Sequence, residues 1–225
     1  MCGRFVQLPL LFPDQSPWPE LASDLMALTE KYNLAPTQRA AVVLGTEGTP
    51  AVKKLRWGLL PSWVKDLKGS FSTINARVET VATKPAFRAA FKAPRRCLIP
   101  MAGYYEWREF PDGKQPFLIR RKDGEQLYAA GLWEPRHRLQ GDDEDGSCTV
   151  ITHDAVDVAC EVHDRMPVFL DPTLAHDWMT ASPEEAMAML LSAPMPEMVA
   201  EPVSRAVNSS RNRGGPEFLT PIDLG

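Results

Sequence analysis

No segment of this chain approaches the roughly 18 uninterrupted apolar residues that a membrane-crossing helix needs, so no membrane partner is expected. The first residues, MCGRFVQLPLLFPDQS, lack the basic stretch, apolar run and small-residue cleavage site of a secretory leader, and a cytoplasmic location is expected. Cysteine is scarce and scattered. Cys2, Cys97, Cys148 and Cys160 form no C-x-x-C pair, so neither a zinc site nor a disulfide framework is suggested, and neither metal nor other cofactor is expected. The last three read as small buried hydrophobes. Excess basic charge is missing as well. A net charge of -4 argues against a surface built for non-specific nucleic-acid binding, whose affinity comes from Lys and Arg displacing condensed counterions, so any DNA site has to be a local patch. No internal repeat or composition break divides the chain, and a single domain over 2–225 is expected.

Proline is what the chain has in quantity: 21 residues interrupt nearly every periodic run, which disfavours long helices. Apolar spacing at Leu21, Leu25 and Leu28 predicts an amphipathic helix over 18–31, and shorter helices are predicted over 84–92, 154–161, 172–180 and 183–191. Strands are predicted at 40–45, 51–58, 96–100, 116–121, 127–133 and 148–152 from β-branched and apolar content. Pro111-Asp112-Gly113 and Lys122-Asp123-Gly124-Glu125 read as hairpin turns. The acidic run 141–146 reads as a solvated loop without the ligand spacing of a calcium site. The class is therefore α+β, a mainly antiparallel sheet or partial barrel with peripheral short helices.

Among residues able to do chemistry, Cys2 stands out by position. Once Met1 is removed it carries a thiol and an α-amine on adjacent carbons, and the amine's reference pKa of about 7.7–8.0 leaves a neutral fraction at pH 7. Such a 1,2-aminothiol condenses with an aldehyde to an imine, which the sulfur closes to a thiazolidine ring. The bland alternative is an ordinary residue at a frayed terminus. In the run 72–80, alternation places Asn75, Arg77 and Glu79 on one side of an extended segment. Glu106 lies between aromatics in Gly103-Tyr104-Tyr105-Glu106-Trp107, surroundings that raise a carboxyl pKa and suit proton donation near neutrality. His163 has Asp164 and Arg165 for neighbours. The stretch 203–212, which includes Ser209, is rich in groups able to hold phosphate. Trp57, Trp63 and Trp107 sit among Arg56, Lys65, Arg77 and Arg108, a mixture suited to stacking unpaired bases, whereas Trp133 and Trp178 read as core. Taken singly, each cluster reads equally as a solvated loop, strand edge or surface histidine.

Taken together, MCGRF, Tyr32–Gln38, Arg56–Trp63, Asn75–Thr80, Arg96–Pro100, Gly103–Trp107, Ala130–Glu134, His163–Pro167 and Val203–Asn208 resemble, in order, the SRAP family, named for SOS-response-associated peptidase. The resemblance implies a protein that binds single-stranded DNA containing abasic sites and cross-links to the lesion through its N-terminal cysteine, becoming nucleoid-associated when bound; a monomer is expected, although the sequence itself gives no oligomeric state. It implies Cys2 as nucleophile, Asn75 positioning its amine and thiol, Glu106 as general acid/base, and His163 opening the sugar. Arg4, Arg77 and Arg165 would hold phosphates, Trp63 and Trp107 would pack on nucleotides, and Ser209 would add a DNA contact. Autocatalytic removal of Met1 is implied by the family name, and a strand-cleaving lyase activity is left open. Two alternatives stand beside this reading: an N-terminal-nucleophile cysteine amidohydrolase, and a non-catalytic single-stranded DNA-binding module.

Overall fold

A computed structural model describes residues 2–46, 49–65, 73–135, 137–138 and 145–224. Ser72 and residues 141–144 of the acidic run lie outside the described residues. In chain order the strands are β1 (Arg4–Gln7), β2 (Lys31–Leu34), β3 (Arg39–Thr46), β4 (Thr49–Trp57), β5 (Asn75–Arg77), β6 (Arg96–Met101), β7 (Gly103–Phe110), β8 (Gly113–Arg121), β9 (Leu127–Pro135), β10 (Gly146–Asp154), β11 (Arg165–Pro167) and β12 (Met198–Pro202). The helices are short: α1 (Ala22–Met26), α2 (Arg88–Lys92), α3 (Asp157–Cys160), α4 (Ala175–Thr180) and α5 (Pro183–Ser192).

Two sheets carry the fold. One runs β12-β8-β7-β1-β2, and all its pairings are antiparallel. In the other, β3 pairs β4 and β6, β6 pairs β9, and β10 pairs both β9 and β4, so the hydrogen bonds close a ring of strands with β5 and β11 attached to β10. The expected mainly antiparallel α+β class with a barrel-like sheet is what forms; among the described residues only the β10 pairings to β4 and β5 are parallel.

Strand alternation divides the core. From β3, Val42 and Leu44 join Phe5, Tyr104 and Ile119 of the first sheet, while Ala41 and Val43 join Leu25 and Trp178 of the helices. Buried Gln7 stitches the sheets together. Its amide nitrogen, Nε2, donates to the carbonyls of Ala41 (2.9 Å) and Pro100 (3.0 Å), and its Oε1 accepts from the Ala41 N–H (2.7 Å). Those backbone groups belong to β3 and β6 beyond the Val43–Leu98 pairing, so one β1 side chain replaces missing ladder bonds. Arg96, wholly buried, holds the helices down: it donates to the carbonyls of Phe91, Trp178 and Ala181 at the C-terminal ends of α2 and α4.

Several sequence expectations need correction. The helix expected over 18–31 shrinks to a 3-10 turn and α1, because pairing of β2 with β1 claims the chain from Lys31; Leu21, Leu25 and Leu28 are nonetheless buried. The helix expected from residue 154 begins only at Asp157, since β10 continues to Asp154 and Ala155 donates to the Asp164 carbonyl. The turn at Pro111-Asp112 does make a hairpin, with Phe110 opposite Gly113 at φ 116°. The 122–125 turn does not: β8 and β9 lie in different sheets, and the chain passes between them there.

Replacing Gln7 by Leu keeps the volume but leaves the Ala41 N–H and two carbonyls unsatisfied. The expected cost is about 2–4 kcal/mol in urea unfolding, and a loss under about 0.5 kcal/mol would show that Gln7 does not join the sheets.

Candidate functional site

Cys2 is fully buried, so the frayed-terminus reading fails. β1 is held on both edges, by β2 and β7, and its register sets Arg4 against Tyr105 and Phe5 against Tyr104. Continuing that register brings the chain just before β1 beside Glu106. From the other sheet, β5 delivers Asn75, whose Nδ2 donates to the Cys2 carbonyl at 2.7 Å. The Asn75 Oδ1 is buried and has no hydrogen-bond partner among the described residues. Two sheets therefore converge on residue 2.

The electrostatics follow from burial. The Cys2 thiol is pushed far up by desolvation, with the nearby Glu106 charge adding to the shift, so it rests protonated. Burial raises Glu106 to about 7, and the negative charge of Asp164 adds to it, as its aromatic setting led us to expect. His163 Nε2 stands 4.0 Å from Glu106 Oε2. Its pKa is lowered, chiefly by burial, so the ring is mostly neutral at pH 7. Its Nδ1 faces both the Arg165 backbone N–H (3.0 Å) and the Asp164 carboxylate (2.7 Å). Accepting from the first and donating to the second are alternatives, so those neighbours set the tautomer.

Glu106 and His163 open onto a pocket of ≈ 360 Å³ completed by Trp107, Lys114 and Asn208. Trp107 donates to Asn208 Oδ1 at 2.7 Å, and Arg4 lies over the Trp107 ring at 6.0 Å. The sequence reading singled out neither Lys114 nor Asn208 individually. Lys114 is recognisable only through the hairpin that folds β8 back along β7. Asn208 lies in the donor-rich stretch, on the 3-10 turn that Ser204 caps.

The remaining predicted residues divide. Arg77 on β5 and Trp63 (62% exposed) are accessible, and Ser209 is exposed while its carbonyl accepts from Asn33 at 3.1 Å. Arg165 is turned inward. It binds both carboxylate oxygens of Glu79 (2.7 and 3.0 Å), Asp154 (2.5 Å) and the Thr152 carbonyl (2.7 Å), an ion-pair network that occupies its guanidinium in this structure. Glu79 accordingly lies in the turn after β5 instead of continuing the Asn75–Arg77 face. Trp57 and Arg56, expected near bases, are buried: Trp57 packs edge-on against Phe5 and donates to the Ile74 carbonyl, and Arg56 donates to that of Gly58. Trp178 is core and Trp133 partly so. Cys97 and Cys148 are buried, whereas Cys160 is exposed. Among the described residues no grouping of three or more His, Cys, Asp or Glu is placed to hold a metal ion.

Comparison with known proteins bears on what this arrangement does. The profile of the family described as SOS response associated peptidase (SRAP) matches residues 1–210. Abasic site processing protein YoqW of Bacillus subtilis is 34% identical over 97% of this chain and 99% of its own. Abasic site processing protein YedK of Escherichia coli is 31% identical over 99% and 100%. Among solved structures, a Bacteroides thetaiotaomicron protein superposes with a TM-score of 0.77 at 23% identity, covering 98% of this chain and all of that one, which supports the fold alone. A phage-related protein of Bordetella bronchiseptica gives 0.70 at 28% identity over 91% and 95%.

The shifted carboxyl has a stability signature. A Glu raised from 4.5 to about 7 by folding costs nothing below pH 4.5, where both states are protonated; the cost grows as pH rises toward 7 and is complete above it. Glu106→Gln should therefore be more stable than the parent at pH 8, by about 1–3 kcal/mol, and equal to it at pH 4. A difference in thermal unfolding that is independent of pH would contradict the shift.

Proposed function

The chain belongs to the SOS response associated peptidase (SRAP) family, and from that premise we propose that it processes abasic sites in single-stranded DNA by closing a thiazolidine between Cys2 and the lesion's aldehyde. The observation that carries this reading is the Asn75–Cys2 hydrogen bond, which fixes residue 2 beside a carboxyl poised near neutrality. An abasic sugar is mostly a closed hemiacetal. His163 Nε2 takes the C1 hydroxyl proton while protonated Glu106 gives one to the ring oxygen, releasing the aldehyde. The α-amine of Cys2 then adds to C1, and two protons convert the former carbonyl oxygen to water, leaving the imine. The thiol adds across that C=N bond, carbon to sulfur and proton to nitrogen. The net change is aminothiol plus aldehyde to thiazolidine plus water.

Burial sets the order. A thiol held protonated is a poor first nucleophile, so the amine reacts first and the sulfur follows within one ring closure. The same fact weighs against the amidohydrolase alternative, in which the sulfur must attack first. The open Oδ1 of Asn75 is available to accept from the amine. Arg4 and Arg77 supply phosphate contacts, Trp63 and Trp107 stack on flanking nucleotides, and Ser209 and Lys114 line the approach. Arg165 acts indirectly, fixing the backbone that holds His163. Removal of Met1, the family's eponymous peptidase step, is assigned to the same groups, with Glu106 as base for the attacking water. The uncyclised imine is the species from which strand-cleaving β-elimination would start, so lyase activity belongs to this site as a side branch.

Intact-mass spectrometry with an oligonucleotide carrying one abasic site tests the reading. Protein lacking Met1 should gain the oligonucleotide mass less one water and survive heating. Cys2→Ala should give only a borohydride-trappable imine with increased strand nicking; a heat-stable adduct from that variant would end the proposal. In single-turnover assays the rate of adduct formation should fall above an apparent pKa of about 7 as Glu106 ionises. Glu106→Gln should be slower by about 100-fold or more and lack that alkaline limb.

A further inference from the structure

A second cavity, larger than the one beside Cys2, lies where the chain leaves β1 and where the β8–β9 crossover passes. Its volume is ≈ 500 Å³, within the range of small-molecule sites. One wall is aliphatic, with Leu8, Leu10 and Pro17. Tyr128 also lines it, 4% exposed and packed edge-on to Trp18, and its buried hydroxyl has no hydrogen-bond partner among the described residues. Beside it, Gln126 gives its Nε2 to the Leu8 carbonyl (3.3 Å), which fixes the amide and leaves the buried Oε1 unpartnered as well. Two buried polar atoms without partners at one cavity are a cost that a bound group would remove.

Charge selects the group. Asp14, Glu30 and Glu125 line the cavity, and among the described residues its one lining cation, Arg121, is already bound by Asp123 through two contacts and by Glu125 at 2.8 Å. An anion would meet the carboxylates of Asp14 and Glu30, which Arg121 does not neutralise.

We propose that this cavity is a binding site for a small organic cation, a primary amine or guanidine on an aliphatic stem. The stem lies along Leu8, Leu10 and Pro17, and the N–H donors serve Gln126 Oε1 and the Tyr128 oxygen within the field of the Asp14 and Glu30 carboxylates. Nothing in the cross-linking chemistry uses these residues, so the site is separate from the one at Cys2.

Isothermal titration calorimetry of the full chain with hexylamine, hexan-1-ol and hexanoate tests this. Hexylamine should bind one to one, at least tenfold more tightly than either comparison. Tyr128→Phe, which keeps the ring against Trp18, should weaken it about three- to tenfold, and the pair Asp14→Asn with Glu30→Gln at least as much. Both variants should still cross-link abasic DNA at the parental rate, which separates failure here from failure of the thiazolidine mechanism. No binding by hexylamine, equal binding by hexanoate, or an unchanged affinity in Tyr128→Phe would each overturn the proposal.

Discussion

A chain terminus frays unless its backbone is tied down, and the proposed condensation through the α-amine of residue 2 needs a terminus that does not. β1 meets that requirement by pairing along both edges, β2 on one side and β7 on the other. Gln7 then fixes the far end of β1 to the ring of strands, while Asn75 fixes the near end from β5. Four residues of strand thus tie together two sheets and a reactive end. The site exists because the sheets converge there, and the sheets converge partly because the same strand belongs to both networks.

The second physical theme is desolvation used for opposite purposes. Burial lifts Glu106 to about 7, where it can give and take protons, and lifts the thiol so far that it stays neutral. Near neutral pH only the Glu106 shift opposes folding, because the thiol is protonated in the folded and the unfolded chain alike until pH rises past the ordinary thiol range of about 8.5. The fold tolerates this beside a dense core, in which Phe5, Trp57 and Tyr104 pack around Cys2's cluster and Arg96 secures the helices behind it.

Much of this was readable from residue order. The strands of the ring were visible as β-branched runs, and Cys2, Asn75, Glu106 and His163 could be named as a set from the family resemblance. Short strands were harder: β1, β2, β11 and β12 span three to five residues each, and their identity comes from long-range partners. Arg165 and Trp57 show the limit most clearly. An arginine beside a histidine and a tryptophan beside an arginine look like binding groups in one dimension, and only the positions of Glu79, Asp154 and Phe5 turn them inward. The 122–125 turn failed for a related reason: local chemistry specifies a reversal but not which sheet the next strand joins.

The enclosed thiol also bears on durability. Oxidation to sulfenic acid and beyond follows thiolate content and access, and Cys2 offers little of either, whereas exposed Cys160 offers access. In the proposed reaction the sulfur of Cys2 is the reagent, and it has to stay reduced until a lesion is met. On that reading the core serves the thiol as a protecting group, shielding it from oxidants while the neighbouring amine makes the first bond.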